Sequence, residues 1–258
     1  MESKLSQLKS FVVRGVRFTF FNNSVIRKLS RNIKFNRLYW RFYRTGYRIL
    51  IPIFRRFYPD KYAIGDPFEI IWIPTQKINY GIKADSTVDS DHLIYGRVKD
   101  GDWHKDKQSL EEKKYFKNLK QYLTEEELQN QNEIRQDLID NRLEQLEKVK
   151  EAIEKEGYKS QKSLLIERAE ETLQKCNDSL FPELNDIQVV IGKEGDVLWR
   201  HCGKNRLFIA KILDIDKVPA IIQCRDKKWE EKRKLARENF EDLDSEILKH
   251  PDIENLLP

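Results

Sequence analysis

One run of the chain, Ile187–Ile221, constrains the fold more than any other. Ile187–Ile191 is an uninterrupted apolar, β-branched stretch that stops at Gly192-Lys-Glu-Gly195, whose glycines suit a hairpin turn. A second short strand is expected at Val197–Arg200, followed by a loop containing Gly203. Apolar residues then recur at Leu207, Ile209, Ala210, Ile212 and Leu213, the spacing of a helix opened by Arg206. Lys217–Cys224 reads as the next strand. The Gly203-Lys204-Asn205-Arg206 loop concentrates what an anion needs. It offers a glycine that permits close backbone approach, amides exposed at a helix start, and two cationic side chains. The alternative at these residues is structural, with Arg206 paired to a carboxylate at the end of the sheet.

This strand, Gly-x-x-Arg loop, helix and Pro-containing strand (Val218-Pro219-Ala220) resembles the ParB/sulfiredoxin-like superfamily. Upstream, Phe68–Ile78 resembles the opening strand of such domains. The wider pattern is similar to archaeal and viral proteins carrying this domain. It includes Phe57–Tyr62 with Asp66–Phe68, Gly96-Arg-Val98 with Gly101–Trp103, Gly157–Gln161, and His250–Ile253. The resemblance covers roughly residues 57–253 and is strongest over 187–229. It implies an α+β fold with a small mixed β-sheet, and phosphate or nucleotide binding at Gly203, Lys204, Asn205 and Arg206. The nucleotide would come with or without magnesium. It does not imply one activity, because the superfamily spans nucleotide-dependent DNA clamps, a sulfinic-acid reductase, an amino-acid kinase and proposed nucleases. Cys202 stands where the superfamily usually has Asp, and Asn205 where it usually has His. The position of sulfiredoxin's reactive cysteine is Lys204, so that chemistry does not carry over. No catalytic residue is assigned.

Charge divides the chain. Residues 1–59 hold fourteen Lys and Arg against a single acid, Glu2, and thirteen of the 28 aromatic residues. With a net charge of +5 overall, residues 60–258 carry a net −8. The expected organisation is therefore a basic aromatic arm over 1–59 and an α+β domain over 60–258. Within Ile33–Tyr47, arginines and aromatics recur every three or four positions, the pattern of one amphipathic helix, and Pro52 and Pro59 punctuate the way into the body. Arg27, Lys28, Arg31, Lys34, Arg37, Trp40, Arg41, Tyr43, Arg44 and Arg48 form its candidate surface for a polyanion. Nucleic acid, probed by arginine on phosphate and rings on unpaired bases, is the leading partner. An anionic membrane surface meets the same composition, and docking of the arm on the acidic body is the third reading.

Between these parts, 78–106 reads as a loop with one or two small strands. A helical insertion is expected over about 108–175. Its signals are a capping box at Thr124–Glu127, a face made by Leu143, Leu146, Val149 and Ile153, a C-terminal cap at Gly157, and a shorter helix over Ser163–Lys175. A charged helix from Trp229 to about Phe240 closes the domain, and Pro251 is expected to end any helix in the tail. Asp102 and Trp103, after Gly101, are candidates to cover a bound base, with a core position as the alternative for Trp103. No metal site is expected, since the chain has no closely spaced ligand pair. Three cysteines without a Cys-x-x-Cys pair and no signal-sequence pattern lead to an expected cytoplasmic location, with peripheral membrane attachment as an extension.

Overall fold

The computed structural model describes residues 31–82, 95–99, 103, 107–110, 136–174, 181–200 and 202–257. The fold is α+β. Helix α1 (Ile33–Phe57) leads into β1 (Ile70–Pro74), β2 (Tyr80–Ile82), β3 (Arg97–Lys99) and β4 (Lys107–Ser109). Helices α2 (Gln136–Glu156), α3 (Gln161–Glu167) and α4 (Ala169–Gln174) precede β5 (Ile187–Ile191) and β6 (Val197–Trp199). Then come α5 (Lys204–Ile212), β7 (Lys217–Asp226), α6 (Lys227–Glu238), α7 (Ser245–Leu248) and α8 (Pro251–Glu254).

The sheet is mixed, in the order β1-β7-β5-β6-β2-β4, with β3 also on β7. Strand β7 is its axis. One edge pairs in parallel with β5 along its length. The other is shared end to end, with β1 antiparallel on its first half and β3 parallel on its last residues. Every β7 residue after Lys217 is buried, as expected of a strand covered on both faces. Ile71, Ile73, Ile187, Val189, Ile191, Val218, Ala220 and Ile222 face one core, closed by Leu207 and Phe208 of α5, Trp229 of α6 and Ile253 of α8. On the opposite face Ile221 meets Trp40 of α1, Phe68, Tyr95, Phe181 and Leu184.

The register slips between Val189 and Val190, so that Val189 faces Ile222 and Val190 faces Cys224. The extra residue, Gln223, reverses the inside–outside alternation of everything that follows. Cys224 accordingly joins Val190, Leu198, Ile82 and Trp103 in a separate cluster. Arg225 turns to the side of α6 and α8, where its guanidinium grips Asp252 at 2.8 and 2.6 Å. Trp229 Nε1 donates to the same carboxylate at 2.9 Å, and Arg233 Nε lies 3.2 Å from it. Arg233 also donates to Glu230 (2.7 Å), which accepts from the Ile64 amide (2.7 Å). This buried network fastens the tail, α6, β7 and the segment after α1 to one another.

Several boundaries differ from expectation. Pro52 lies inside α1, which continues to Phe57; the position is exposed, so only one intrahelical bond is forfeited. Pro251 begins α8 instead of ending a helix, at the first helical position, where no amide partner is needed. The helix expected over Ser163–Lys175 is two, broken at Arg168 (φ −140°). The stretch 78–106 supplies two small strands, as expected, whereas the start of the anticipated helical block is strand β4. The Thr124–Glu127 capping box lies outside the described residues. Gly157, at φ +78°, caps α2 as expected.

Candidate functional site: a cleft at the start of α5

Strand β6 delivers the chain to the Gly203 loop, which is laced to β5. The Arg200 amide donates to Gln188 O at 3.0 Å, and Cys202 O accepts from the Gln188 amide (3.3 Å) and from Trp199 Nε1 (2.9 Å). Gly203 is left-handed, at φ +78°. A Cβ there would lie 2.8 Å from Ile187 Cα, so the loop sits directly on the first residue of β5. No side chain caps α5 at this end among the described residues, which leaves its first turn of amides as an electropositive terminus.

This terminus opens on a cavity of about 900 Å³ between the C-terminal half of α2, α3 with α4, and the loop. Its walls bring together Gly203, Lys204, Asn205 and Arg206 with Tyr158, Lys159 and Arg168. The four loop residues thus line one cavity. Arg206 Nη1 is 3.4 Å from Asp186 Oδ1, and Asp186 is fully buried. The same carboxylate accepts from the Gln161 amide at the start of α3 (3.1 and 3.2 Å). Burial pushes the Asp186 carboxyl up to about 6, against the opposing pull of Arg206. Burial likewise pushes the Tyr158 phenol to about 12. Its hydroxyl is buried with no hydrogen-bond partner among the described residues. Elsewhere on the wall Lys159 is shared by Glu156 and Glu167, and Arg168 pairs with Glu156.

Trp103 is elsewhere. At 2% exposure it packs with Ile82, Val190, Leu198 and Cys224, so it fills the core and has no freedom to close over a base. Asp102, Arg27 and Lys28 lie outside the described residues, as do His201 and Cys176. Cys202 and Cys224 are buried, and burial lifts the Cys224 thiol to about 11, so it is not an activated nucleophile. Among the described residues no three His, Cys, Asp or Glu side chains cluster as a metal site.

The polyanion surface of α1 also needs correction. Trp40 and Tyr43 turn inward and pack on Phe68 and Phe181 at ring distances of 4.9–5.8 Å, because these rings are the body's own apolar cover. They are not available to stack on bases. Arg44 and Arg48 converge on Asp66 at 2.7 and 2.8 Å. Burial works against the Asp66 charge, yet hydrogen bonds from Arg48, Arg44 and the Phe68 amide hold its carboxyl below the usual range. Docking on the acidic body therefore describes this face of α1. Arg31, Lys34, Arg37 and Arg41 remain exposed.

Asp186, Tyr158, Lys159 and Arg168 were not singled out as site residues from the sequence. Tyr158 and Lys159 did fall in the Gly157–Gln161 piece of the resemblance, and that was the available signal. Comparison with protein-family models, curated proteins and solved structures finds no match for this chain.

A second buried titratable group opposes Asp186. His250 accepts the Asp252 amide at Nδ1 (3.1 Å) and meets Gly195 O at Nε2 (3.0 Å), which requires the neutral ring with its proton on Nε2. Burial depresses it to about 4 despite the nearby Asp252 charge. A depressed histidine withdraws stability as pH falls from about 6.5 to about 4, whereas the raised Asp186 adds stability over roughly 6 down to 4. The His250→Asn protein is therefore expected to gain about 2–3 kcal/mol relative to the native protein between pH 6.5 and 4. Urea unfolding at both pH values measures this; parallel pH profiles would refute it.

Proposed function

We propose that the chain is a phosphate-binding module whose cleft at the start of α5 takes the phosphate groups of a nucleotide. The observation that carries this reading is one cleft wall that joins the start of α5, which no side chain caps among the described residues, with Lys204, Arg206 and Tyr158, whose hydroxyl has no hydrogen-bond partner among the described residues. A phosphate oxygen seated there would accept hydrogen bonds from the Tyr158 hydroxyl and the first amides of α5, with Lys204 supplying charge. The cavity volume lies within the range of small-ligand sites. The resemblance to the ParB/sulfiredoxin-like superfamily points to the same loop. Arg206 is paired with Asp186 and orients the site through it. Nucleotide-dependent work on nucleic acid is the wider role that the resemblance suggests.

A thermal-shift screen with nucleoside di- and triphosphates, with and without magnesium, tests the reading. Native protein should be stabilised by at least one of them. Lys204→Glu, which places an acid at the helix N-terminus beside the phosphate, should abolish that stabilisation while leaving the empty protein within about 1 kcal/mol of native. Arg206→Ala should instead cost the empty protein about 3 kcal/mol, because it strands Asp186 in the interior. Absence of stabilisation by every nucleotide, or a Lys204→Glu protein that still responds, would overturn the proposal.

A further inference from the structure

Helix α1 has a second face that no described residue covers. While Trp40, Tyr43 and Tyr47 turn inward, Leu38, Phe42, Ile49 and Ile53 point away and are 46–69% exposed, with Phe57 at 68%. At a helical turn of 100° per residue, those first four fall within an arc of about 60°. Arg37 and Arg41 are exposed along one flank of that arc, and the helix contains no Asp or Glu.

We propose that this outward face lies in the headgroup–acyl boundary of an anionic lipid surface. The apolar stripe supplies the part buried below the headgroups, and the flanking arginines meet anionic lipid at their level. Charge complementarity selects this occupant. A second α1 would bring arginine against arginine with no acid to offset them. A nucleic acid backbone would satisfy the arginines and leave the Leu38–Ile53 stripe in water. The helix does not cross the bilayer, since no helix among the described residues is long and apolar enough to do so. The contact is thus one of lying on the surface, with the body held above by the inner face of the same helix. None of these residues lines the cleft at α5, so this inference stands apart from nucleotide binding.

The test is co-sedimentation of the full chain with vesicles of phosphatidylcholine alone and with roughly one-third phosphatidylglycerol. Native protein should pellet with the anionic vesicles and much less with the neutral ones. Phe42→Ser/Ile49→Ser should lower the partition coefficient at least about tenfold, with an unchanged circular dichroism spectrum and thermal midpoint, because both side chains are exposed. Arg37→Glu/Arg41→Glu should erase the preference for anionic over neutral vesicles. No pelleting of native protein, or pelleting that Phe42→Ser/Ile49→Ser leaves unchanged, would overturn the inference. So would a dimer, or duplex-DNA binding, that the Phe42→Ser/Ile49→Ser protein loses while vesicle binding persists.

Discussion

An Asp252→Ala protein is expected to lose about 3–5 kcal/mol of stability. The carboxylate accepts two bonds from Arg225 and one from Trp229 Nε1, and Arg233 stands 3.2 Å away. Both arginines are buried, at 5% and 1% exposure. Removing the carboxylate takes from Arg225 its hydrogen-bonded counter-charge and leaves Arg233 with Glu230 and the Ile64 carbonyl. Stranding a buried charge costs about 3–5 kcal/mol, and the indole also loses its acceptor. That is a large share of the roughly 5–15 kcal/mol that holds a domain of this kind together. Far-ultraviolet circular dichroism and urea unfolding provide the measurement; a loss of no more than about 1 kcal/mol would contradict the account. Replacing the pair together, Arg225→Met with Asp252→Leu, should be milder than Asp252→Ala, because the apolar pair removes the uncompensated charge.

The consequence reaches α1. Arg233 and Glu230 tie α6 to the backbone at Ile64, just beyond the helix that carries the apolar stripe. Arg225 pairs with Ile191 at the last residue of β5, whereas the Gly203 loop rests on Ile187 at its first. The network therefore sets the seat of α1, at the end of the sheet away from the cleft.

The strands and turns of 187–226 were legible because their signals are local and agree. Ile187–Ile191 is apolar and β-branched throughout, glycines follow it, and helical spacing then takes over from Leu207. Gly157 was legible for the same reason, a glycine directly after a periodic helix. What stayed hidden depends on contacts distant in sequence. Nothing in Lys217–Asp226 announces the extra residue at Gln223, yet that residue decides that Arg225 meets Asp252. Asp186 is one of 43 acidic residues, and only its burial beneath Arg206 distinguishes it. In α1 the aromatic and arginine periodicities were readable, but not which face the body would claim. The rings go inward because Phe68 and Phe181 await them, and that leaves the aliphatic stripe outside. Pro52 and Pro251 misled for a simpler reason: proline breaks a helix interior but is tolerated at its first residue and on an exposed turn.

Gly203→Ala is expected to cost about 3 kcal/mol or more and to abolish nucleotide stabilisation, and Gly157→Ala is the control that separates the causes. Both glycines have φ +78°. An L-residue in that left-handed conformation costs roughly 1–2 kcal/mol. At Gly157 nothing lies within 4 Å of the added Cβ, so that backbone cost should be the whole effect. At Gly203 the Cβ would meet Ile187 Cα at 2.8 Å, Cγ1 at 2.9 Å and N at 3.0 Å. Two of these atoms are backbone, in a strand that is fully buried and paired on both edges. Neither can give way cheaply, so α5 must lift from β5 by the better part of an ångström. The first-turn amides move with it, away from Tyr158 and from Arg206's anchor on Asp186. Equilibrium unfolding of the two variants, each with and without the best nucleotide, makes the comparison. Gly157→Ala should keep the ligand response and lose little more than about 1 kcal/mol. If Gly203→Ala costs no more than Gly157→Ala, the loop does not rest on Ile187 as described. If it costs more yet binds nucleotide as tightly as native protein, the phosphate does not sit on the amides of α5.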